Sequence, residues 1–280
     1  MEKKRSSSLQ QAFSKRFGQY ERNGTAEDAH ELLTSMASRG SCRDFLNEPV
    51  PDSVLNMLCA IALASPTKSD LQQRDIILLR APDIRQRLVD LVSGQSWVAS
   101  APMIAVFCGN NRRQRLLHED KNIPFANDHL DALFNAIGDA AIALGAFVTA
   151  AEASGLGCCP ISAVRNQAAA VSDLLELPDH VFPFAGLAIG YPRCLPTISM
   201  RLPLDVTCHV DRYSEHGLTD TIRAYDTHRA KEQPYSTQRL VPEFGEAEPY
   251  TWSDDKVRQY SQPERETFGE YIRAKGFNLD

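Results

Sequence analysis

At 280 residues, with 43% hydrophobic and 24% charged side chains, the chain has an ordinary globular make-up and can fill one large domain or two small ones. A formal net charge of -6 argues against nucleic acid or an anionic membrane as the main partner. Seven scattered cysteines with no CxxC or CxH spacing exclude a zinc motif and point to a reducing cytoplasm. The stretch Met1 to Phe13 has basic residues with no apolar run behind them, so no signal peptide is expected, and no stretch is expected to span a membrane.

Residues 1–25, rich in Lys, Arg, Ser and Gln, read as a flexible arm or a frayed helix. From Thr25 the spacing of Ala26, Leu32, Leu33 and Met36 predicts a helix that stops near Gly40. It leads into Arg39-Gly40-Ser41-Cys42-Arg43. In an extended backbone alternate side chains point the same way, so Arg39, Ser41 and Arg43 would converge. Two guanidinium forks and a hydroxyl suit the oxygens of a phosphate, with a solvated basic loop as the plainer alternative. Pro49 and Pro51 then punctuate, and Asp52 or Ser53 can cap a second helix through Val54, Leu55, Leu58, Ile61 and Ala64.

A polar loop, Ser65-Pro66-Thr67 to Gln72, separates that helix from Asp75–Arg80, a short apolar run with the pattern of a buried strand. A helix through Ile84, Leu88 and Leu91 follows. Met103–Cys108 is apolar on both faces and belongs in the middle of a sheet. Residues 110–128 are polar and basic, a rim loop or short helix, with His118 and His129 lacking partners at ligand spacing. Residues 130–154 form the longest predicted helix, apolar or small nearly all round and so expected to be buried all round. Gly155-Leu156-Gly157 ends it. A helix through Ala169, Val171 and Leu174 precedes a second buried strand, Val181–Gly190, closed by Tyr191-Pro192. Beyond Arg201-Leu202-Pro203-Leu204, residues 217–239 read as a polar helix, Glu243–Pro249 as an acidic loop, and the chain ends in a helix near Phe268, Tyr271 and Ile272.

The basic triplet, Ser65-Pro66 with Leu71-Gln72, Gly155-Leu156-Gly157, Gly190-Tyr191-Pro192 and Arg201-Leu202-Pro203, in this order, resemble the FMN-dependent nitroreductase family, most closely its larger NADPH-type nitroreductase and flavin reductase branch. The resemblance implies an α+β fold: a three-layer α/β/α sandwich with a mixed sheet, in an intertwined homodimer. Residues 26–213 would form the FMN-binding core and 214–280 a C-terminal extension that wraps the partner. It implies that FMN is held by Arg39, Gly40, Ser41 and Arg43, by Ser65, Pro66, Thr67 and Gln72 along the ribityl chain and pyrimidine edge, by Pro160, Ile161, Ser162 and Ala163 near N5 and O4, and by Arg201 at the phosphate. Gln72 carries both a donor and an acceptor, as that edge requires, although an ordinary loop glutamine would look the same. Lys68 and Asp70 stand where relatives commonly have Ser and Asn, and Ser199 where they have a lysine on the phosphate, while residues 206–213, with Asp211-Arg212-Tyr213, match a short strand-like passage of the relatives. NADPH or NADH would give hydride through FMN N5 to a nitroaromatic, quinone or flavin acceptor by a ping-pong mechanism, with no catalytic side chain and no metal. The alternatives are a specialised flavin-dependent reductase or dehalogenase, or a flavin-binding regulatory dimer with negligible turnover.

Overall fold

The computed structural model describes residues 9–17, 31–92 and 96–280. The expected helix start at Thr25 lies outside the described residues. Two compact units result, one within Met1–Gly40 and Thr197–Glu264, the other within Ser41–Pro196 and Arg265–Asp280.

The larger unit is built on a four-stranded sheet of β1 (Arg74–Leu79), β2 (Met103–Asn110), β3 (Gly157–Ile161) and β4 (Val181–Gly190), in the order β1-β2-β4-β3. Every neighbouring pair is antiparallel, not the mixed arrangement expected. Strand alternation then sends successive side chains to opposite faces. Ile104, Val106 and Cys108 join a cluster with Leu88, Val98, Val171 and Leu174 from the helices Pro82–Leu91 and Ala168–Leu174 and the turn Ser96–Ser100. Met103, Ala105 and Phe107 join another with Leu55, Leu58, Ala62, Phe147 and Ala151 from the helices Asp52–Leu63 and Leu130–Ala153. With helices on both faces, β2 is buried along its whole length. This is the three-layer sandwich of the sequence reading. A third cluster seats the C-terminal helix Phe268–Ala274, where Ile272 and Phe277 meet Leu133, Ala136 and Phe182.

Three expectations are corrected. The helix Asp52–Leu63 starts from Pro51, and no side chain caps it. The fixed φ of Pro51 sets the turn that Asp52 or Ser53 would otherwise supply. The long helix Leu130–Ala153 covers the sheet with Ala140, Ala143, Phe147 and Ala151 but leaves Phe134, Ala141, Ile142 and Gly145 exposed, so it is not buried all round within this chain. Its 24 residues contain an 18-residue window with a mean hydropathy of 1.6, so it also has the length and composition of a membrane span, against the expectation that no stretch would.

The smaller unit is helical. Leu9–Phe17, within the stretch read as an arm or frayed helix, is a helix with Ala12 and Arg16 buried. Leu32, Leu33 and Met36 on the helix Glu31–Ala37 remain exposed, and Ala37 is its buried residue. Residues 206–213 are not a strand: Leu204–Thr207 is a short helix, followed by bends. Leu218–Glu232 and Trp252–Tyr260 are joined by an edge-on Tyr225–Trp252 contact and by the Asp226 carboxylate, which accepts from Ser253 N at 3.0 Å. Thr251 and Asp254 form a reciprocal capping box at the start of the second of these helices.

Phe147 is fully buried and meets Phe107 edge-on at 5.6 Å between ring centres. Phe147→Ala is expected to cost about 3–5 kcal/mol in denaturant unfolding. A loss under about 1 kcal/mol would mean that the second cluster does not hold the sandwich together.

Candidate functional site

The loop that follows the helix Asp52–Leu63 is fastened from both sides. The Arg74 side chain, in a residue only 4% exposed, donates to the carbonyls of Leu63, Ser65 and Pro66, each at 2.8 Å, and so closes the open end of that helix. From the opposite side comes Asp139, on the buried face of the long helix and 1% exposed. Its carboxylate accepts from Lys68 N at 2.9 Å, from Gln73 N at 2.8 Å and from the Thr67 hydroxyl, which in turn accepts from Gln72 N at 2.9 Å. Held in this way, the loop keeps Ser69, Asp70 and Gln72 at φ values of 48°, 58° and 52°. Non-glycine residues in the left-handed region carry strain that the surroundings must overcome. Gln72 is exposed, its Nε2 donates to Asp70 at 3.0 Å, and its carbonyl accepts from Arg113 at 2.6 Å.

The turn after β3 hangs from a bulge in β4. Phe107 pairs with Ala185 and Cys108 with Pro183, so Phe184 drops out of the ladder. Its carbonyl accepts from Arg165, whose guanidinium also stands over the Phe184 ring at 5.9 Å. Burial, and then the neighbouring Arg265 charge, lower the Arg165 pKa from its ordinary value. Arg165 thereby fixes the turn Ser162–Arg165, in which Ile161 and Ala163 are buried while Pro160 and Ser162 face outward. Arg265, at φ 60°, reaches the same turn, donating to Asn166 at 2.9 Å and to the Ser162 hydroxyl at 3.3 Å.

The basic stretch Arg39–Arg43 passes from one unit to the other between Gly40 and Ser41. In the larger unit Cys42 N donates to Cys158 O at 3.0 Å, and the Cys42 side chain is buried while Ser41 is half-buried and Arg43 exposed. Cys42 packs in the first cluster, and that burial pushes its thiol up. A Cβ on Gly157 would lie 2.7 Å from the Cys42 side chain, so the close approach of the two segments requires glycine there. The Arg43 guanidinium stands over the Trp97 ring at 5.6 Å. In the smaller unit Gly40 is buried and Arg39 half-buried. Arg201 is exposed, and its Nη1 donates to Ser199 Oγ at 2.9 Å and to the carbonyls of Ser199 and Met200 at 3.3 and 3.1 Å. Among the described residues no group of His, Cys, Asp and Glu could hold a metal ion. A cavity of about 310 Å³, lined by Asp75, Cys108, Arg112, Leu116 and Leu177 among others, includes none of the predicted site residues.

The description "Nitroreductase family" matches residues 36–191, and "Nitroreductase family, C-terminal domain" matches residues 199–280. The chain belongs to the nitroreductase family. It is 30% identical over 255 residues to an FMN reductase [NAD(P)H] of Bacillus subtilis (strain 168), covering 90% of this chain and 99% of the relative. Over 238 residues it is 32% identical to an oxygen-insensitive NADPH nitroreductase of Salmonella typhimurium, covering 85% and 94%. Among solved structures, it resembles a nitroreductase from B. subtilis with a TM-score of 0.80 at 28% identity, covering 88% of this chain and 99% of that one. The NADPH:FMN oxidoreductase from Vibrio harveyi complexed with NAD+ gives a TM-score of 0.76 at 27% identity, with 88% and 98% covered.

Four residues at these nitroreductase segments escape sequence reasoning: Asp139, Arg74, Arg165 and Arg265. Asp139 left a trace, a carboxylate in the middle of a helix that is otherwise mostly small and apolar. Arg265 had none, since the turn it touches is about a hundred residues earlier in the chain.

Asp139→Ala strands two backbone N–H groups and a hydroxyl, and each buried unsatisfied donor costs about 1–3 kcal/mol. A loss of at least about 2 kcal/mol in urea unfolding is expected, together with faster amide exchange at Lys68 and Gln73. An unchanged midpoint with unchanged exchange would show that the loop is held by other means.

Proposed function

We propose that this chain is an NAD(P)H-dependent FMN oxidoreductase that takes hydride from a nicotinamide and passes two electrons to a nitroaromatic, quinone or flavin acceptor. The observation that carries the reading is the fastening of the loop Ser65–Gln72 by Arg74 and Asp139, because the family resemblance assigns this loop to the ribityl chain and pyrimidine edge of the flavin. Binding residues held rigidly before the ligand arrives cost least to order.

The donors in each unit suit a part of FMN. A phosphomonoester carries about -1.5 to -2 charges at neutral pH, and Arg39 and Arg201 supply guanidiniums in the smaller unit. The larger unit offers Gln72, with a donor and an acceptor, and the turn Ile161-Ser162-Ala163, whose outward hydroxyl is held by Arg265. When bound, FMN supplies the reversible hydride chemistry at N5. The protein's part is to bind, orient and tune. Arg43 keeps its charge fixed against Trp97, and a fixed cation favours the uptake of negative charge. Donor and acceptor using one place in turn gives ping-pong kinetics, with parallel double-reciprocal lines.

Either nicotinamide serves as donor in this reading. The acidic loop with Glu243, Glu246 and Glu248 opposes a 2'-phosphate, and Arg239 beside it is already paired with Asp255 at 3.1 Å. The protein works as a homodimer. Met57 and Ile61 on one helix, and Phe134, Ala141, Ile142 and Gly145 on another, leave apolar faces exposed, and a Cβ added at Gly138 or Gly145 would meet nothing within 4 Å. Faces of small and apolar residues such as these suit close contact with a second copy.

Anaerobic addition of NADH or NADPH to FMN-loaded protein should bleach the flavin absorbance, and a nitroaromatic or quinone should restore it. If the absorbance stays oxidised with both donors, the enzymatic reading fails. Ile142→Glu should shift the sedimentation coefficient from dimer to monomer; a variant that sediments like the wild type would remove the helix Leu130–Ala153 from the interface.

A further inference from the structure

Both family models begin at or after residue 36, so the helix Leu9–Phe17 lies outside them. Its one buried charged residue is nevertheless fastened to backbone that carries predicted phosphate ligands. Arg16, 8% exposed, donates through Nε to Ala37 O at 3.0 Å, through Nη2 to Arg39 O at 2.6 Å and through Nη1 to Ser199 O at 3.3 Å. The carbonyl of Arg16 accepts from Arg201 N at 2.7 Å. The Arg201 guanidinium reaches the same Ser199 carbonyl, also at 3.3 Å.

One residue thus ties together the two segments that bear Arg39 and Arg201, which are far apart in the chain. It also brings a further guanidinium to the backbone at Ser199, the position where the family resemblance places a lysine. Guanidiniums gathered on one short stretch of backbone raise the local potential for an anion, and a buried charge is little screened by salt. The positive charge absent at position 199 is present in space, delivered from position 16.

We propose that Arg16 is a further residue of the phosphate end of the cofactor site, a positioning residue that holds Arg39 and Arg201 and adds charge in place of the missing lysine, so that the N-terminal helix helps to select the phosphorylated flavin. This rests on the FMN reading above. A purely structural tether would support any flavin equally; a charge at the phosphate end distinguishes FMN from riboflavin, which has the same ring and ribityl chain but no phosphate.

The test is titration of full-length wild type, Arg16→Gln and Arg16→Lys, freed of flavin, with FMN and with riboflavin, followed by flavin fluorescence. Gln keeps a donor for the carbonyls and removes the charge; Lys keeps the charge. In Arg16→Gln, FMN binding should weaken about tenfold, equivalent to about 1.4 kcal/mol, with riboflavin binding unchanged, and Arg16→Lys should recover most of the loss. Equal weakening of both flavins, or unchanged FMN affinity in Arg16→Gln, overturns the inference. If Arg16→Gln does not fold, hydrogen exchange on the wild type decides: slower exchange across residues 9–17 with FMN but not with riboflavin supports it, and the same response to both overturns it. Failure of the wild type to take up FMN would overturn the functional reading and this inference with it, whereas normal uptake with an unaffected variant overturns this inference alone.

Discussion

The larger unit depends on one constraint, the burial of both faces of an antiparallel sheet. β2 has no exposed residue along its eight positions, so its apolar side chains from Met103 to Cys108 each fit one of two clusters, and the pleat decides which. Dry cores of this kind are intolerant of polar groups unless every hydrogen-bonding atom is satisfied. That intolerance gives Asp139 its role. Placed on a helix that covers the sheet, its carboxylate can be accommodated only with partners, and the loop Thr67–Gln73 supplies them. The sandwich and the strained loop are therefore one arrangement, and disturbing either is felt in the other.

The same logic runs through the turn Ser162–Arg165. Arg165 is held by a carbonyl that the β-ladder leaves unused, and Arg265 arrives from a C-terminal segment seated on the sheet through Ile272 and Phe277. In the larger unit Gln72 and Ser162, two of the exposed groups that the family resemblance implies for flavin, sit on short irregular segments, and each segment is fastened by side chains reaching it from elsewhere in the chain. Loops on a rigid scaffold commonly carry function in this way.

Much of the architecture was legible because periodicity and burial coincide. The apolar runs at 103–108 and 181–190 and the helical spacing at 52–64 and 130–154 correspond to β2, β4 and two core helices within a few residues at each end. Strand direction was not legible: the apolar pattern of a buried strand is the same in either sense, and the expected mixed sheet became fully antiparallel. The long helix read as buried all round because glycine and alanine carry little directional signal, yet one of its faces remains exposed. Among the segments assigned to flavin, the family resemblance pointed to the loops, while their fastenings at Asp139, Arg74, Arg165 and Arg265 stayed hidden, since they depend on contacts between distant parts of the chain. Residues 206–213, expected to be strand-like from the family resemblance alone, are instead the end of a short helix and bends.

The residue that β4 leaves unpaired has a wider effect than its own carbonyl. Pro183, just before it, cannot donate to a ladder, and the irregularity makes room for it. By stepping the register once, Phe184 also resets the parity of the strand, so Phe184 lies with Leu187 and Ile189 while Val181 lies on the side of Ala188. The strand is thus read in two frames joined at one letter: without Phe184 the alternation would run evenly from end to end, with Val181 to Pro183 still opposite Asn110 to Cys108.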